Sequence, residues 1–213
     1  RVTLPGFYDG VAETPADVVA SWDALGRDAA SFLGPVGLKT AAGEAGRSIL
    51  EQIWARPTCE FNGIVGGYTG DGFKTVLPAK ASAKVSFRLV GEQDPAKIRD
   101  AFRARVREML PPDATVEFHA HGGSPGFSMP FDSPWLASAR EALTEEWGVE
   151  ALLIGAGGSI PVGDAFARLL DMPTLFVGFG LGDDRIHSPN EKYDLESFHK
   201  GIRSWARILK KLA

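Results

Sequence analysis

The sequence predicts an α/β protein in two parts: an α+β part with an antiparallel sheet and helices, and then a part in which helices and strands alternate. Its 213 residues, 44% of them hydrophobic, are enough for one large domain or two small ones. Strand-like segments cluster between residues 57 and 90, whereas helix and strand signals alternate after the glycine-rich loop 122–126. That loop is the best candidate for a boundary, which divides the chain into residues 1–124 and 125–213.

The first part begins with two predicted helices. Thr14 followed by Pro15 places an N-cap hydroxyl before a proline at the first helical position, and the helix is predicted to run to about Leu33. A second, shorter helix is predicted from Gly43 to Ala55. The chain therefore enters its sheet region from a helical segment.

A predicted sheet follows the two helices. Its strands are Phe61–Val65, Thr75–Leu77 and Ala81–Val90, with a glycine-rich turn over 66–72. In the third strand Val85, Phe87 and Leu89 alternate with Ser86 and Arg88. Because successive strand side chains point to opposite faces, Arg88 is expected to point away from the apolar row.

A helix and a strand complete the first part. Asp94 before Pro95 predicts a helix start, and Pro111 ends the helix. Its expected inward stripe is Ile98, Phe102, Val106 and Leu110. The segment Thr115–His121 is predicted to be a strand.

The second part alternates helices and strands. The predicted elements are a helix over Ser133–Trp147, a strand over Ala151–Ile154, a helix over Pro161–Leu170, a strand over Pro173–Val177 and a helix over Asp194–Leu212. In the last helix Phe198, Ile202, Trp205 and Leu209 share one face, which predicts packing on a sheet. Two short strands are too few for such a sheet, so its other strands are expected from outside this chain.

Composition excludes several classes of partner. With 23 basic and 27 acidic residues the net charge is −4, which argues against nucleic acid and anionic membranes. No apolar run reaches the roughly 20 residues that span a bilayer. The single cysteine, Cys59, rules out an internal disulfide and a cysteine metal cluster. The chain lacks an initiator methionine and is expected to begin inside a longer protein, with the cytoplasm as the default location.

Two loops could carry chemistry. The segment 155–161 follows a predicted strand, is rich in glycine and opens a helix, which suits an anion or a developing oxyanion. It is a poor dinucleotide fingerprint because Ile160 replaces the third glycine, and a tight turn with Ser159 as the helix cap remains an alternative. His187 lies in a loop beyond a strand, a position suited to a metal ligand or to a solvated side chain.

Strand residues give two further candidates. Glu117, His119 and His121 would project to one side of a strand, where they could bind a metal or simply face solvent. Thr75 and Arg88 on adjacent strands could clamp a carboxylate, since a guanidinium offers a planar fork that matches two oxygens. An exposed arginine with no ligand is the alternative.

Five motifs, taken in order, resemble those of the M20 metallopeptidases, and most closely the branch of carnosinases and bacterial dipeptidases. They are Gly63–Tyr68, Lys74–Pro78, Phe87–Val90, Gly157–Pro161 and His187–Glu191. The resemblance implies a catalytic α/β domain interrupted by an inserted lid, or dimerisation, domain. Residues 1–124 would be most of the lid, and residues 125–213 the carboxyl-terminal part of the catalytic domain.

The resemblance also implies what this chain lacks. The amino-terminal catalytic part would be missing, with the His-x-Asp motif, the bridging aspartate and the Glu-Glu pair that holds the general base. No catalytic residue is therefore expected in this chain. His187 resembles a ligand of one of two divalent metal ions, usually zinc and in some members manganese. The implied substrate-binding residues are Thr75, Arg88, His121, Gly158 and Ser159.

The implied function is metal-dependent hydrolysis of small peptides that have a free carboxyl terminus, through a metal-activated water. The chain alone is expected to be inactive, and to act with the missing amino-terminal segment in a homodimer formed through the lid. Gly155 and Ala156 stand where dipeptidases often have charged residues, so the exact substrate stays open. The alternatives are N-acyl amino acid deacylation and a non-catalytic dimerisation or binding module.

Overall fold

A computed structural model describes residues 1–158 and 160–213, which divide into two units. The first unit consists of Arg1–Phe127 with Gly155–Pro161, and the second of Ser128–Ile154 with Val162–Ala213. The assignment of residues 1–124 to a lid and of 125–213 to a catalytic domain stays a prediction. No helix of the described residues is both long enough and apolar enough to cross a bilayer.

Short helices open the first unit. They are α1 (Ala16–Asp23), α2 (Ala29–Leu33), a 3-10 turn (Gly34–Val36) and α3 (Ile49–Trp54). The prediction of one helix to Leu33 is wrong because Gly26 takes a left-handed φ of 62° and Asp28 caps a new helix by accepting from the Ser31 amide. The second predicted helix is shorter than expected, since the Ser48–Glu51 capping box fixes its start at Ile49, six residues after Gly43.

The helices α1 and α3 enclose a small core of Val18, Trp22, Ile49 and Leu50. Trp22 is 1% exposed and meets Trp54 edge to face at 5.2 Å between ring centroids. Aromatic burial of this kind holds the short helices together although none of them is long enough to be stable alone.

The sheet of the first unit is an antiparallel pair, β1 (Thr58–Gly66) and β2 (Ala81–Arg88). Its register shifts by one residue between Phe61 and Gly63, so Asn62 is the extra residue of a β-bulge. The predicted alternation is confirmed, because Val85 and Phe87 are half-buried whereas Arg88 is exposed. Phe87 packs against Phe7 and, on helix α4 (Pro95–Met109), against Phe102.

Several predicted strands are wrong. The structure assigns no strand over Thr75–Leu77, Thr115–His121, Ala151–Ile154 or Pro173–Val177. A strand is defined by hydrogen bonds to a neighbouring strand, and β1–β2 is the one such ladder among the described residues. An apolar segment with strand-like composition therefore becomes a strand only if a neighbouring segment is also present to pair with it.

The second unit is built on three helices, α5 (Pro134–Trp147), α6 (Pro161–Leu170, whose first residue belongs to the first unit) and α7 (Leu195–Leu212). Helices α5 and α7 pack through Ala139, Ala142 and Ile208. Helix α7 buries its small residues, Ser197, Gly201 and Ser204, together with Ile208. The large apolar side chains predicted to pack on a sheet, Phe198, Ile202, Trp205 and Leu209, are 48%, 54%, 41% and 64% exposed. Because most strands of that sheet were expected from outside this chain, the packing of the stripe stays a prediction.

Candidate functional site

His187 lies on an exposed loop of the second unit, which we call the His187 loop and define as Asp184–Lys192. The base of this loop is closed by hydrogen bonds. The Lys192 amide donates to the Asp184 carbonyl at 3.0 Å, and Lys192 Nζ donates to Asp184 Oδ1 at 2.9 Å. The second carboxylate oxygen of Asp184 accepts from the Leu181 amide at 2.7 Å. Asp184 is 1% exposed, so the loop has a buried, fully bonded anchor.

These contacts act on the charges at the base of the loop. The Leu181 amide, and after it the Lys192 ammonium, lower the pKa of the Asp184 carboxyl. Hydrogen bonds from Lys192 to Asp184 and Asp183 raise the pKa of the lysine. Both shifts favour the ionised pair, which stays charged at neutral pH.

The His187 imidazole is exposed, and the backbone at this residue has a left-handed φ of 62°. The His187 amide donates to Glu191 Oε2 at 3.4 Å. The residues Gly180, Asp184, Ile186, Glu191, Lys192 and Tyr193 line an open cleft of about 600 Å³ beside it. An exposed imidazole on an anchored loop can bind an incoming ligand or metal ion without reorganising buried groups.

A complete metal site is not present in the described part of the chain. No group of three or more His, Cys, Asp or Glu side chains there could hold a metal ion. The exposed imidazole fits one ligand position, because neutral imidazole is a common zinc ligand. The described residues do not supply the donor set of a whole zinc site, since such a site takes at least three protein ligands.

Arg88 occupies the end of β2, in the first unit, with its side chain 56% exposed. Its Nη1 donates to the Gly157 carbonyl, and its Nε lies 3.9 Å from Glu60 Oε1 across the hairpin. The structure therefore brings Arg88 to the 155–161 segment, next to Gly158. A Cβ added at Gly158 would meet nothing within 4 Å, so the backbone there is open to a ligand.

The other predicted site residues are not joined to Arg88 by the contacts found among the described residues. Thr75 lies in the exposed connector between β1 and β2. His121 is also exposed, outside any helix or strand. Ser159 lies outside the described residues. His187 belongs to the second unit, whereas Thr75, Arg88, His121 and Gly158 belong to the first.

Two residues near these side chains were not predicted. Lys192 pairs with Asp184 across eight positions of a loop, a spacing that no helix or strand period would indicate. Glu60 could have been found from the hairpin: Thr58 opposes Arg88 and Glu60 opposes Ser86, which places Glu60 and Arg88 on one face.

Comparison with known proteins identifies one family. The model of peptidase family M20/M25/M40 matches residues 12–211. A Cys-Gly metallodipeptidase of Candida albicans, DUG1, is 30% identical over 208 residues, which are 96% of this chain and 43% of that protein. The human Beta-Ala-His dipeptidase is 23% identical over 217 residues, covering 100% of this chain and 43% of the relative.

The fold is also found among solved structures. The M20 family metallo-carboxypeptidase Sso-CP2 of Sulfolobus solfataricus superposes with a TM-score of 0.83 at 28% identity, over 99% of this chain and 48% of that one. The predicted fold class is thereby confirmed. The chain spans less than half the length of the relatives it matches.

Proposed function

The chain belongs to peptidase family M20/M25/M40, and on that premise we propose that it is part of a metal-dependent dipeptidase-like hydrolase. The substrates are small peptides with a free carboxyl terminus. The observation that carries the proposal is the anchored, exposed His187 loop within a family match over residues 12–211. The names of relatives, a Cys-Gly metallodipeptidase and a Beta-Ala-His dipeptidase, support the choice of a dipeptide.

His187 would hold one of two divalent metal ions, zinc as the first choice and manganese as the second. When bound, such ions make a water molecule acidic enough to lose a proton at neutral pH, so that it can attack an amide carbonyl. The described residues offer one ligand position rather than a site, so the remaining ligands and the general base come from elsewhere in the enzyme. The contribution of this chain to the chemistry is binding and orientation.

Arg88 would bind the terminal carboxylate of the substrate. Its side chain is more than half exposed, and the contact of its guanidinium with the Gly157 carbonyl holds it beside the open backbone at Gly158. Bidentate binding of a carboxylate fixes both position and direction, which lowers the entropic cost of reaching the reactive geometry. Thr75, His121 and Ser159 complete the proposed substrate-binding set.

The partner of this chain in the enzyme would be an amino-terminal catalytic segment. Two observations support that proposal: the chain covers only 43% of relatives such as DUG1, and the apolar stripe of α7 is exposed. A surface patch of four large apolar side chains is typical of a contact site. A homodimer through residues 1–124 and a cytoplasmic location stay predictions.

A comparison of two substrate panels tests the proposed function. A protein that carries this chain with the remaining length found in its relatives is incubated with zinc or manganese and with dipeptides or N-acyl amino acids. We expect hydrolysis of the dipeptides, its loss in His187→Ala, and no turnover by the 213-residue chain alone. Preferential hydrolysis of N-acyl amino acids would assign the deacylase activity instead, and no turnover of either panel would favour a binding module.

A further inference from the structure

Asp184 and Lys192 lie at the base of the His187 loop and close it through hydrogen bonds. Asp184 accepts hydrogen bonds through both carboxylate oxygens and through its carbonyl, and the donors are Lys192 Nζ, the Leu181 amide and the Lys192 amide. The three bonds tie the two ends of a nine-residue segment to each other and to the residues before it. A charge buried in this way is costly unless it stays paired.

The interior of the loop needs such a constraint. Arg185, His187 and Asn190 have left-handed φ values of 54°, 62° and 61°, and none of them is glycine. A left-handed backbone is unfavourable for a residue with a Cβ, and it persists only where the surroundings determine it. Within the loop, one hydrogen bond between backbone groups of the described residues forms a turn: the Ser188 amide donates to the Arg185 carbonyl at 2.9 Å. This turn bond and the long bond from the His187 amide to Glu191 Oε2, at 3.4 Å, do not by themselves offset three such residues, so the conformation depends on the closed base.

We propose that Asp184 and Lys192 are positioning residues for His187: their ion pair closes the loop and thereby fixes the direction in which the imidazole is presented. The inference rests on the proposed function only where it takes His187 to be a metal ligand, because the closure by Asp184 and Lys192 is a property of the loop itself. Asp183 provides the contrast. It also pairs with Lys192, at 3.1 Å, but its side chain is 75% exposed, against 2% for Asp184.

The adjacent aspartates allow a matched experiment on the 213-residue chain. Residue-resolved amide hydrogen exchange by NMR is compared for Asp184→Asn, Lys192→Met, Lys192→Arg and the control Asp183→Asn. Exchange at the Ser188 and Lys192 amides should become about tenfold faster or more in the first two variants, since loss of a buried charge partner costs more than 1.4 kcal/mol. The control should stay within about twofold because exposed ion pairs contribute little.

Rescue separates a specific pair from general packing. Lys192→Arg keeps the cation and should restore slow exchange, whereas Lys192→Met should not, and amides in α5 and α7 should be unchanged throughout. Equal effects of Asp184→Asn and Asp183→Asn, or failure of arginine to rescue, would overturn the proposal. If Asp184→Asn does not fold, the Lys192 variants, at a side chain that is 42% exposed, decide the question.

The longer enzyme supplies the functional readout. There, Asp184→Asn and Lys192→Met should lower kcat, with recovery in Lys192→Arg and little change in Asp183→Asn. Absence of peptidase activity in the unaltered longer enzyme would remove the proposed function but leave the exchange result standing. Normal kcat in Lys192→Met despite fast loop exchange would show that closure does not position His187.

Discussion

Arg88 is held at the end of β2 by two unequal partners. Its contact with the Gly157 carbonyl is a hydrogen bond, while the 3.9 Å separation from Glu60 is a loose ion pair between partly exposed groups. Exposed pairs of this kind contribute little to stability. The arginine is therefore oriented without being neutralised, and most of its hydrogen-bonding capacity remains available to a ligand.

Replacing Arg88 by alanine in the longer enzyme should lower kcat/KM by about 10- to 100-fold for dipeptides, because a charge-assisted hydrogen bond contributes about 1.5–3 kcal/mol. The loss should appear mainly in KM. Dipeptide amides, which lack the carboxylate, should react equally with both enzymes. Steady-state kinetics on matched acid and amide substrates measure this, with the exposed Arg27→Ala as control. Equal losses for acid and amide would remove Arg88 from the carboxylate clamp.

Single residues could be predicted from the sequence where one position carries the signal. His187 was selected by its loop and motif, and Arg88 by strand alternation, which the structure confirms as a position on the exposed face of β2. The role of Lys192 could not be predicted, because it depends on a contact with Asp184 across a loop, and a loop has no regular spacing that the sequence could reveal. Whether Thr75 and His121 bind substrate stays a prediction, as neither has a described contact to Arg88.

At the scale of elements, the packing of α7 depends on a glycine. A Cβ at Gly201 would lie 2.9 Å from Cδ2 of Phe179, whose ring stacks on Trp147. Trp147 in turn donates from Nε1 to Ser204 Oγ at 3.0 Å. The aromatic pair fills the space beside the small face of α7, so the ring has little room to retreat.

Gly201→Val should therefore destabilise the chain by roughly 1–3 kcal/mol, the usual cost of forcing extra atoms into a packed site. Helix propensity alone predicts the opposite sign, because valine is a better helix former than glycine. Ala206→Val, at an exposed position of the same helix, is the matched control and should cost about 0.5 kcal/mol. Urea unfolding followed by circular dichroism measures both, and equal losses would show that the contact with Phe179 is not limiting.

Helices were predictable to the extent that their ends carry local signals. Asp94 before Pro95 marks the start of α4 as predicted, whereas Gly26 divides a segment that was predicted to be continuous. Strands were predicted less well than helices, because a strand is defined by its pairing with a distant segment. The predicted strand Ala81–Val90 pairs with β1, whereas the predicted strand Pro173–Val177 has no assigned partner strand. Composition reports the tendency of a segment to be extended, but the ladder depends on which other segment lies beside it.

At the scale of the whole molecule, paired carboxylates make stability depend on pH. Hydrogen bonds from arginine or lysine lower the pKa of Glu44, Glu145, Glu146 and Asp164. A carboxyl whose pKa is lower in the folded state stabilises it above the unfolded pKa, about 4, and loses that contribution as pH falls through the folded value. Stability should therefore be flat from pH 7 to about 5 and fall below about pH 4.

Urea unfolding at a series of pH values tests this expectation. Glu146 bridges α5 to Arg203 and Arg207 of α7 with its side chain 5% exposed. Glu146→Gln should be less stable at neutral pH and should lose less on acidification, whereas Glu108→Gln, at a side chain 68% exposed, should follow the unaltered chain. A steeper acid loss in Glu146→Gln would contradict the assigned direction of its pKa shift.

The exposed stripe of α7 gives the sharpest test of whether this chain is half of a larger fold. Ile208 is 0% exposed and Ile202 is 54% exposed on the same helix. In the 213-residue chain Ile208→Ala should cost about 2–5 kcal/mol, and Ile202→Ala less than about 1 kcal/mol. In a protein that carries the remaining length found in relatives, the stripe should be covered, and Ile202→Ala should then cost as much as Ile208→Ala. Chemical denaturation of both proteins measures the four values. An equally small cost of Ile202→Ala in both would mean that this helix face stays exposed, and the proposed amino-terminal segment would not pack there.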